Sequence, residues 1–332
     1  MAYKPNMEDI KKLRTMTGAG LADVKKALTE SEGDFNKAME IIREKGQAIA
    51  AKRSDRETSN GCVLVKAENG FAAIIALKCE TDFVAKNEGF VALTKKLLDA
   101  AVEAKAKSID EVNNLVVDGQ AVKDLIVEEI GKTGEKMELG AYEYVEAPAT
   151  VAYVHFGNKL ATVVAFNKVV EGSDVQHELA MQVAAMNPVA VDPDSVPEEV
   201  KTKELEIAIE KTKAEQVQKA VEAALKKAGF NLYIAENEEH INEGIMKGNI
   251  TEADAEKIRE IKKTVAEEKA ANLPEQMIQN IANGRLNKFY KESCLVEQAY
   301  IMNEKQSVKE FMKTQDAELK ILAFKRVNLN QD

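Results

Sequence analysis

The side chains best suited to making and breaking bonds are few in this chain. It holds three histidines, His155, His177 and His240, and three cysteines, Cys62, Cys79 and Cys294. A nucleophilic centre needs a thiol or hydroxyl within reach of a base, and a further group that orients the base. Nothing in the spacing assembles such a set. His155 falls on an expected strand, His177 on an expected helix, and His240 in a polar stretch much further along. The cysteines are odd in number and far apart, without a CxxC or Cys/His pattern, so neither a zinc site nor a disulfide framework is expected. Cys79 closes an apolar run and reads as a buried thiol. Gly18-Ala19-Gly20 lacks the preceding strand and the Lys-Ser/Thr of a phosphate loop, and reads as a turn between helices. The abundant carboxylates belong to solvated helix faces. No covalent chemistry, cofactor or metal is expected.

One stretch stands out for contact rather than catalysis. Residues 79–90 read CETDFVAKNEGF and follow the apolar run Phe71-Ala72-Ala73-Ile74-Ile75-Ala76-Leu77. A strand should leave the core near Cys79, yet an acid and an aromatic, Asp82 and Phe83, stand side by side at its exit. Two readings compete. Large aromatics are mostly buried, so spacing alone favours Phe83 tucked under the next helix, with Thr81 or Asp82 capping it. The other reading is a protruding wedge on a short capped turn, which would anchor in a partner's pocket.

The elements around that stretch follow from periodicity. Residues 6–45 read as three short helices. Asn6 caps the first, which carries Ile10, Leu13 and Met16. The second carries Leu21, Val24 and Leu28. Asp34 caps the third, which carries Phe35, Met39 and Ile42 and stops at Gly46. Residues 47–59 read as a linker with a basic spot at Lys52, Arg53 and Arg56. Residues 61–66 and 71–78 form a hairpin across Asn69-Gly70, a dipeptide that tolerates positive φ. A helix with Phe90, Leu93, Leu97 and Leu98 follows. The pattern recurs: 150–156 and 160–166 pair across Gly157-Asn158-Lys159, and a helix with Val175, Leu179 and Val183 follows. Two hairpin-plus-helix units imply two related α+β subdomains with antiparallel sheets.

A long charged helix begins at Glu198 and runs toward Gly229, and a second starts at a Thr251 cap. Val217, Val221 and Leu225 facing Ile258, Ile261 and Val265 predict an antiparallel helical hairpin, with a polar loop over 231–248. Residues 319–324 read as a last strand returning to the second sheet. The expected fold is therefore α+β: a three-helix domain over 1–46, a linker over 47–59, one core subdomain over 60–140, a second over 141–197 and 286–332, and an inserted helical hairpin over 198–285.

Composition sets the outer bounds. A net charge of -10 disfavours wholesale nucleic-acid binding, which wants a basic face to displace counterions. The N-terminus MAYKPNMEDIKKLR has no apolar leader region and no stretch is long enough to span a membrane. With unpaired cysteines, the expected place is the cytoplasm.

Several segments, in order, carry a resemblance. TGAGLADVKKALTESEGDFNKA, CETDFVAKNEGF, Ile130-Gly131, Tyr153 with His155, HELAMQVAAMNP and GRLNKFYKESCLVEQAYI are similar to the bacterial elongation factor Ts family, the guanine-nucleotide exchange factors for elongation factor Tu. The likeness covers nearly the whole chain apart from the middle of the helical hairpin. It implies a ubiquitin-associated-like N-terminal domain and elongation factor Tu as partner, with no direct nucleic acid or membrane contact. Phe83 would wedge into the partner's nucleotide-binding domain beside its magnesium and phosphate site, with Asp82 disturbing the magnesium and Thr81 and Val84 flanking. Ile130, Gly131 and His155 match positions lining the same contact region, and Arg14 and Lys25 would touch the partner from another side. Against the family pattern, Gln182 stands where many relatives have a histidine, the hairpin is longer, and an extra C-terminal helical module is not expected. Self-association through the core or hairpin stays open, as do two rival readings, an adaptor indifferent to nucleotide and an enzyme using Cys79.

Overall fold

The computed structural model describes residues 3–330. The leader and chain-end readings reach into residues 1–2 and 331–332, which lie outside the described residues. The chain forms two compact units, one of residues 1–191 with 299–332 and the other of Asp192–Gln298.

The first unit opens with α1 (Met7–Thr17), α2 (Leu21–Glu30) and α3 (Phe35–Lys52). The Asn6 side chain accepts from the Asp9 N–H at 2.7 Å, and Asp34 accepts from the N–H groups of Asn36 and Lys37, so both expected caps form. Ile10, Leu13, Val24, Leu28 and Ala38 close a small core. The expected stop at Gly46 is corrected, because α3 passes through it to Lys52. Gly46 serves close approach instead. It packs on Gly131 of a later helix, where an added Cβ would sit 3.1 Å from the Val127 carbonyl oxygen. Ile49 and Ala50, read as linker, pack against the core of the first sheet.

Next come β1 (Asn60–Glu68) and β2 (Phe71–Cys79), paired antiparallel from Asn60 opposite Cys79 to Glu68 opposite Phe71. Asn69 and Gly70 turn between them with φ of 52° and 76°, the geometry that a two-residue hairpin demands. There follow α4 (Asp82–Ala85), α5 (Glu88–Glu103), α6 (Ile109–Asn114), the short pair β3 (Val116–Val117) and β4 (Gln120–Ala121), α7 (Val122–Thr133) and β5 (Met137–Glu146). β5 pairs along β2 from Met137 opposite Cys79 to Glu146 opposite Phe71, giving the sheet order β1-β2-β5. The expected subdomain boundary at 140/141 therefore falls inside a strand of the first sheet.

β2 is buried on both faces, and its two-residue period sorts the side chains. Phe71, Ala73, Ile75, Leu77 and Cys79 face a core with Phe90, Leu97 and Ile130. Ala72, Ile74 and Ala76 face a second core shared with Ala161, Val163 and Ala165. The latter belong to a second sheet, made from β6 (Ala149–Val154), β7 (Leu160–Phe166) and a late strand, and packed back to back with the first. α8 (Val175–Met186) lies on this sheet, where Thr162 donates to the Ala180 carbonyl at 2.8 Å.

The second unit holds α9 (Glu198–Lys227), α10 (Leu232–Ala235), α11 (Glu238–Met246), α12 (Glu252–Ala271) and α13 (Glu275–Ser293). The predicted seam forms: Val217, Val221 and Leu225 pack with Ile258, Ile261 and Val265. Two expectations are corrected. The stretch read as a loop is helical, since Asn231 and Asn237 cap α10 and α11 and Ile241 is buried in the same seam. The unit is also wider than 198–285, because α13 packs along α9, with Arg285 bonded to Glu215 at 2.6 Å. The chain then adds to the first unit β8 (Ala299–Tyr300), β9 (Asn303–Ser307), α14 (Val308–Gln315) and β10 (Ile321–Asn328). β10 completes the order β10-β7-β6 and runs further than the expected 319–324.

Candidate functional site

β2 delivers the chain to the surface at Cys79, and the next four residues decide what is shown there. Cys79 is buried. Glu80 folds back: its carboxylate accepts from Arg53 at 3.0 Å, from Arg56 at 2.8 Å and from the Lys136 N–H at 2.7 Å. Its carbonyl accepts from Ser59 and from the Asn60 side chain. Burial alone would raise the Glu80 carboxyl, but the Lys136 N–H and the two guanidinium groups outweigh it and hold the group at about 2. Thr81 is gripped by a second carboxylate. Glu135 accepts from its N–H at 3.0 Å and from its hydroxyl at 2.6 Å. The same hydroxyl accepts from the Val84 N–H and caps α4, the one-turn helix.

On that base stands Phe83, 83% exposed. The residue-level expectation of a tucked ring does not hold, because the turn's buried place is taken by Ala85 and the following helix inserts Phe90. Asp82 pairs with Lys86 one helical turn on, at 2.7 Å, and this bond keeps its carboxyl below the usual range. Val84 packs partly against the core. Asn87 starts the next helix by accepting from the Gly89 N–H at 2.8 Å. Phe83 is thus an apolar side chain left in water by a turn fixed on both sides.

The other expected residues are placed as follows. His155 is exposed at the start of the β6–β7 turn, with its Nδ1 2.8 Å from the Tyr153 hydroxyl. Ile130 is 4% exposed and belongs to the core beneath α5, and Gly131 lies at the close crossing with Gly46. Arg14 and Lys25 are exposed on α1 and α2. The structure gathers Thr81, Asp82, Phe83 and Val84 on one turn, while Ile130 lies in the core of the first sheet and Gly131 at its crossing with Gly46. Gln182 is buried and bridges outward from α8, donating to the Ala299 carbonyl and accepting from the Ile301 N–H. Sequence reasoning missed Glu80 and Glu135. The signal for Glu80 was the basic spot at Arg53 and Arg56, which needed an acid to meet, whereas Glu135 meets Thr81, 54 positions away, and neither arginine. The three thiols are all raised by burial, Cys62 and Cys294 to about 11 and Cys79 to about 12, so each stays protonated near neutrality. Among the described residues no cluster of three or more His, Cys, Asp or Glu could hold a metal ion, and no helix is long and apolar enough to cross a membrane.

An exposed ring on a clamped base, carried by back-to-back antiparallel sheets, defines a contact element of the kind that interaction proteins present. Comparison with known proteins gives the family. A family model described as elongation factor TS matches residues 80–256 and 242–331. A protein named elongation factor Ts from Parabacteroides distasonis is 59% identical over 327 residues, covering 98% of this chain and 99% of the relative. One from Bacteroides fragilis is 58% identical with the same coverage, and one from Porphyromonas gingivalis is 42% identical over 98% of both chains. The chain belongs to the elongation factor Ts family.

Proposed function

We propose that this chain is a cytoplasmic translation elongation factor that binds elongation factor Tu in its GDP form and speeds GDP release, without covalent chemistry of its own. The observation that carries the reading is Phe83, a large apolar side chain held in water by a carboxylate-clamped turn. Leaving such a ring exposed forgoes burial that would stabilise the fold by about 2 kcal/mol, and a partner's pocket recovers it. In this reading Phe83 enters the partner's nucleotide-binding domain near its magnesium and phosphate site. Asp82 disturbs the magnesium, Thr81 and Val84 fix the approach, and His155 lines the contact with Ile130 and Gly131 behind it. The N-terminal helices, ubiquitin-associated-like, touch the partner through Arg14 and Lys25.

Exchange by this route is a linkage effect. The factor must bind nucleotide-free partner more tightly than GDP-bound partner, and nucleotide then weakens the factor by the same ratio. Release of labelled GDP from elongation factor Tu, followed by stopped flow at rising concentrations of the chain, tests it. The expected result is a saturable acceleration, together with capture of the partner that excess GDP abolishes. Capture indifferent to GDP, with no acceleration, would instead support an adaptor.

A further inference from the structure

Phe83 is not the only ring the first unit leaves in water. Phe156, at the tip of the β6–β7 turn, is 97% exposed. Its setting is as fixed as that of Phe83. Gly157 and Asn158 follow it with φ of 89° and 55°, the positive values that a tight hairpin turn requires. The His155 N–H donates to the Leu160 carbonyl at 2.8 Å, and the Asn158 N–H to the His155 carbonyl at 3.1 Å. The other sheet also holds the turn, because the Val63 N–H of β1 donates to the Asn158 carbonyl at 2.8 Å.

The two rings stand at one end of the unit. β1 starts at Asn60, directly opposite Cys79 where β2 stops. The Asn60 side chain joins the two turns: its oxygen accepts from the Lys159 ammonium at 3.3 Å, and its nitrogen donates to the Glu80 carbonyl at 3.2 Å. Lys159 also donates to the Gly61 carbonyl at 3.1 Å. The Asp82 carboxyl, held low chiefly by Lys86, also feels the Lys159 charge. Two side-chain hydrogen bonds, from Lys159 to Asn60 and from Asn60 to Glu80, therefore lead from the Phe156 turn to the residue before Thr81.

We propose that Phe156 is a second anchor for the same protein partner that receives Phe83, filling a separate apolar pocket on it, with Asn60 and Lys159 setting the spacing between the two rings. This rests on the exchange reading, and commits to that partner because the two turns form one continuous, cross-braced face. The roles differ. Phe83 acts on the nucleotide site, and Phe156 supplies affinity that does not depend on it.

The test is GDP release from elongation factor Tu as a function of factor concentration, for the wild-type chain and Phe156→Ala, with Val169→Ala as a control at another exposed apolar residue. The expected result for Phe156→Ala is a half-saturating concentration raised at least tenfold, with the rate at saturation kept within twofold. Val169→Ala should match wild type. An unchanged half-saturating concentration for Phe156→Ala overturns the second anchor while leaving the exchange reading intact. If wild type itself fails to speed release, the exchange reading falls, and calorimetry of both chains with nucleotide-free partner decides the anchor. Weaker binding by Phe156→Ala upholds it, and equal binding or none by either chain overturns it.

Discussion

The turn at Phe83 and the turn at Phe156 show the same thing to solvent and are built by opposite means. Phe83 stands on charge: Glu80 and Glu135 grip residues 80 and 81 from the side, and Arg53 and Arg56 reach in from the end of α3 and beyond. Phe156 stands on backbone: two residues with positive φ and main-chain bonds to Leu160 and Val63 hold it. A charge-built base depends on particular side chains and on pH. A backbone-built base depends on which residues tolerate the left-handed region. The first also ties the turn to α3, so the N-terminal helices and the Phe83 turn share a foundation.

That contrast can be broken at several points. Phe83→Ala carries the largest expected effect. Saturated GDP release should slow about a hundredfold, ~2.7 kcal/mol of lost barrier reduction, while the melting temperature stays put. A preserved stopped-flow rate would remove Phe83 from the mechanism. Glu80→Gln comes next. Its side chain is only 15% exposed, and replacing the charge strands two guanidinium groups, so urea unfolding should show a loss of about 2 kcal/mol at neutral pH, below the range for a fully buried pair. The pH dependence has a definite sign. The folded-state value of about 2 lies below the ordinary 4.5, so the contribution is full above about 4.5 and fades as the solution is acidified toward 2. Wild type and Glu80→Gln should therefore converge in stability across that window, and a constant gap would show that the clamp is not electrostatic.

Gly157→Ala probes the backbone-built turn. Its Cβ would meet nothing within 4 Å, so the only cost is the positive φ, roughly 1 kcal/mol and independent of pH. A pH-dependent loss there would blur the distinction between the turns. Lys86→Ala, which removes the exposed partner of Asp82, should leave the melting curve superimposable on wild type. A clear drop would mean that the pair, and not Glu80 and Glu135, holds the turn.

Much of this was legible in the sequence because it is written locally. The caps at Asn6, Asp34 and Thr251 and the Asn69-Gly70 turn rest on neighbours within a few residues, and the helical spacing of Val217, Val221 and Leu225 marks a seam face whichever helix comes to cover it. What was misread depends on distant partners. Gly46 looks like a helix stop until Gly131 is seen pressed against it. The 231–248 stretch looks like a loop because its two helices are short and depend on Asn caps and a shared seam. At the site, Asp82 and Phe83 could be singled out, but their exposure could not be read from spacing. It follows from Glu80 meeting Arg53, 27 positions away, and Thr81 meeting Glu135, 54 away.

Cys79 gives the Phe83 turn a built-in clock. Its thiol lies buried under the turn and donates to the Thr81 carbonyl at 3.2 Å, and burial, with the charge of Glu135 nearby, pushes it up to about 12. A thiol reagent can reach that sulfur only when the strand end lets go, so labelling at Cys79 times the opening of the platform itself, while the ring above it stays bathed in solvent throughout.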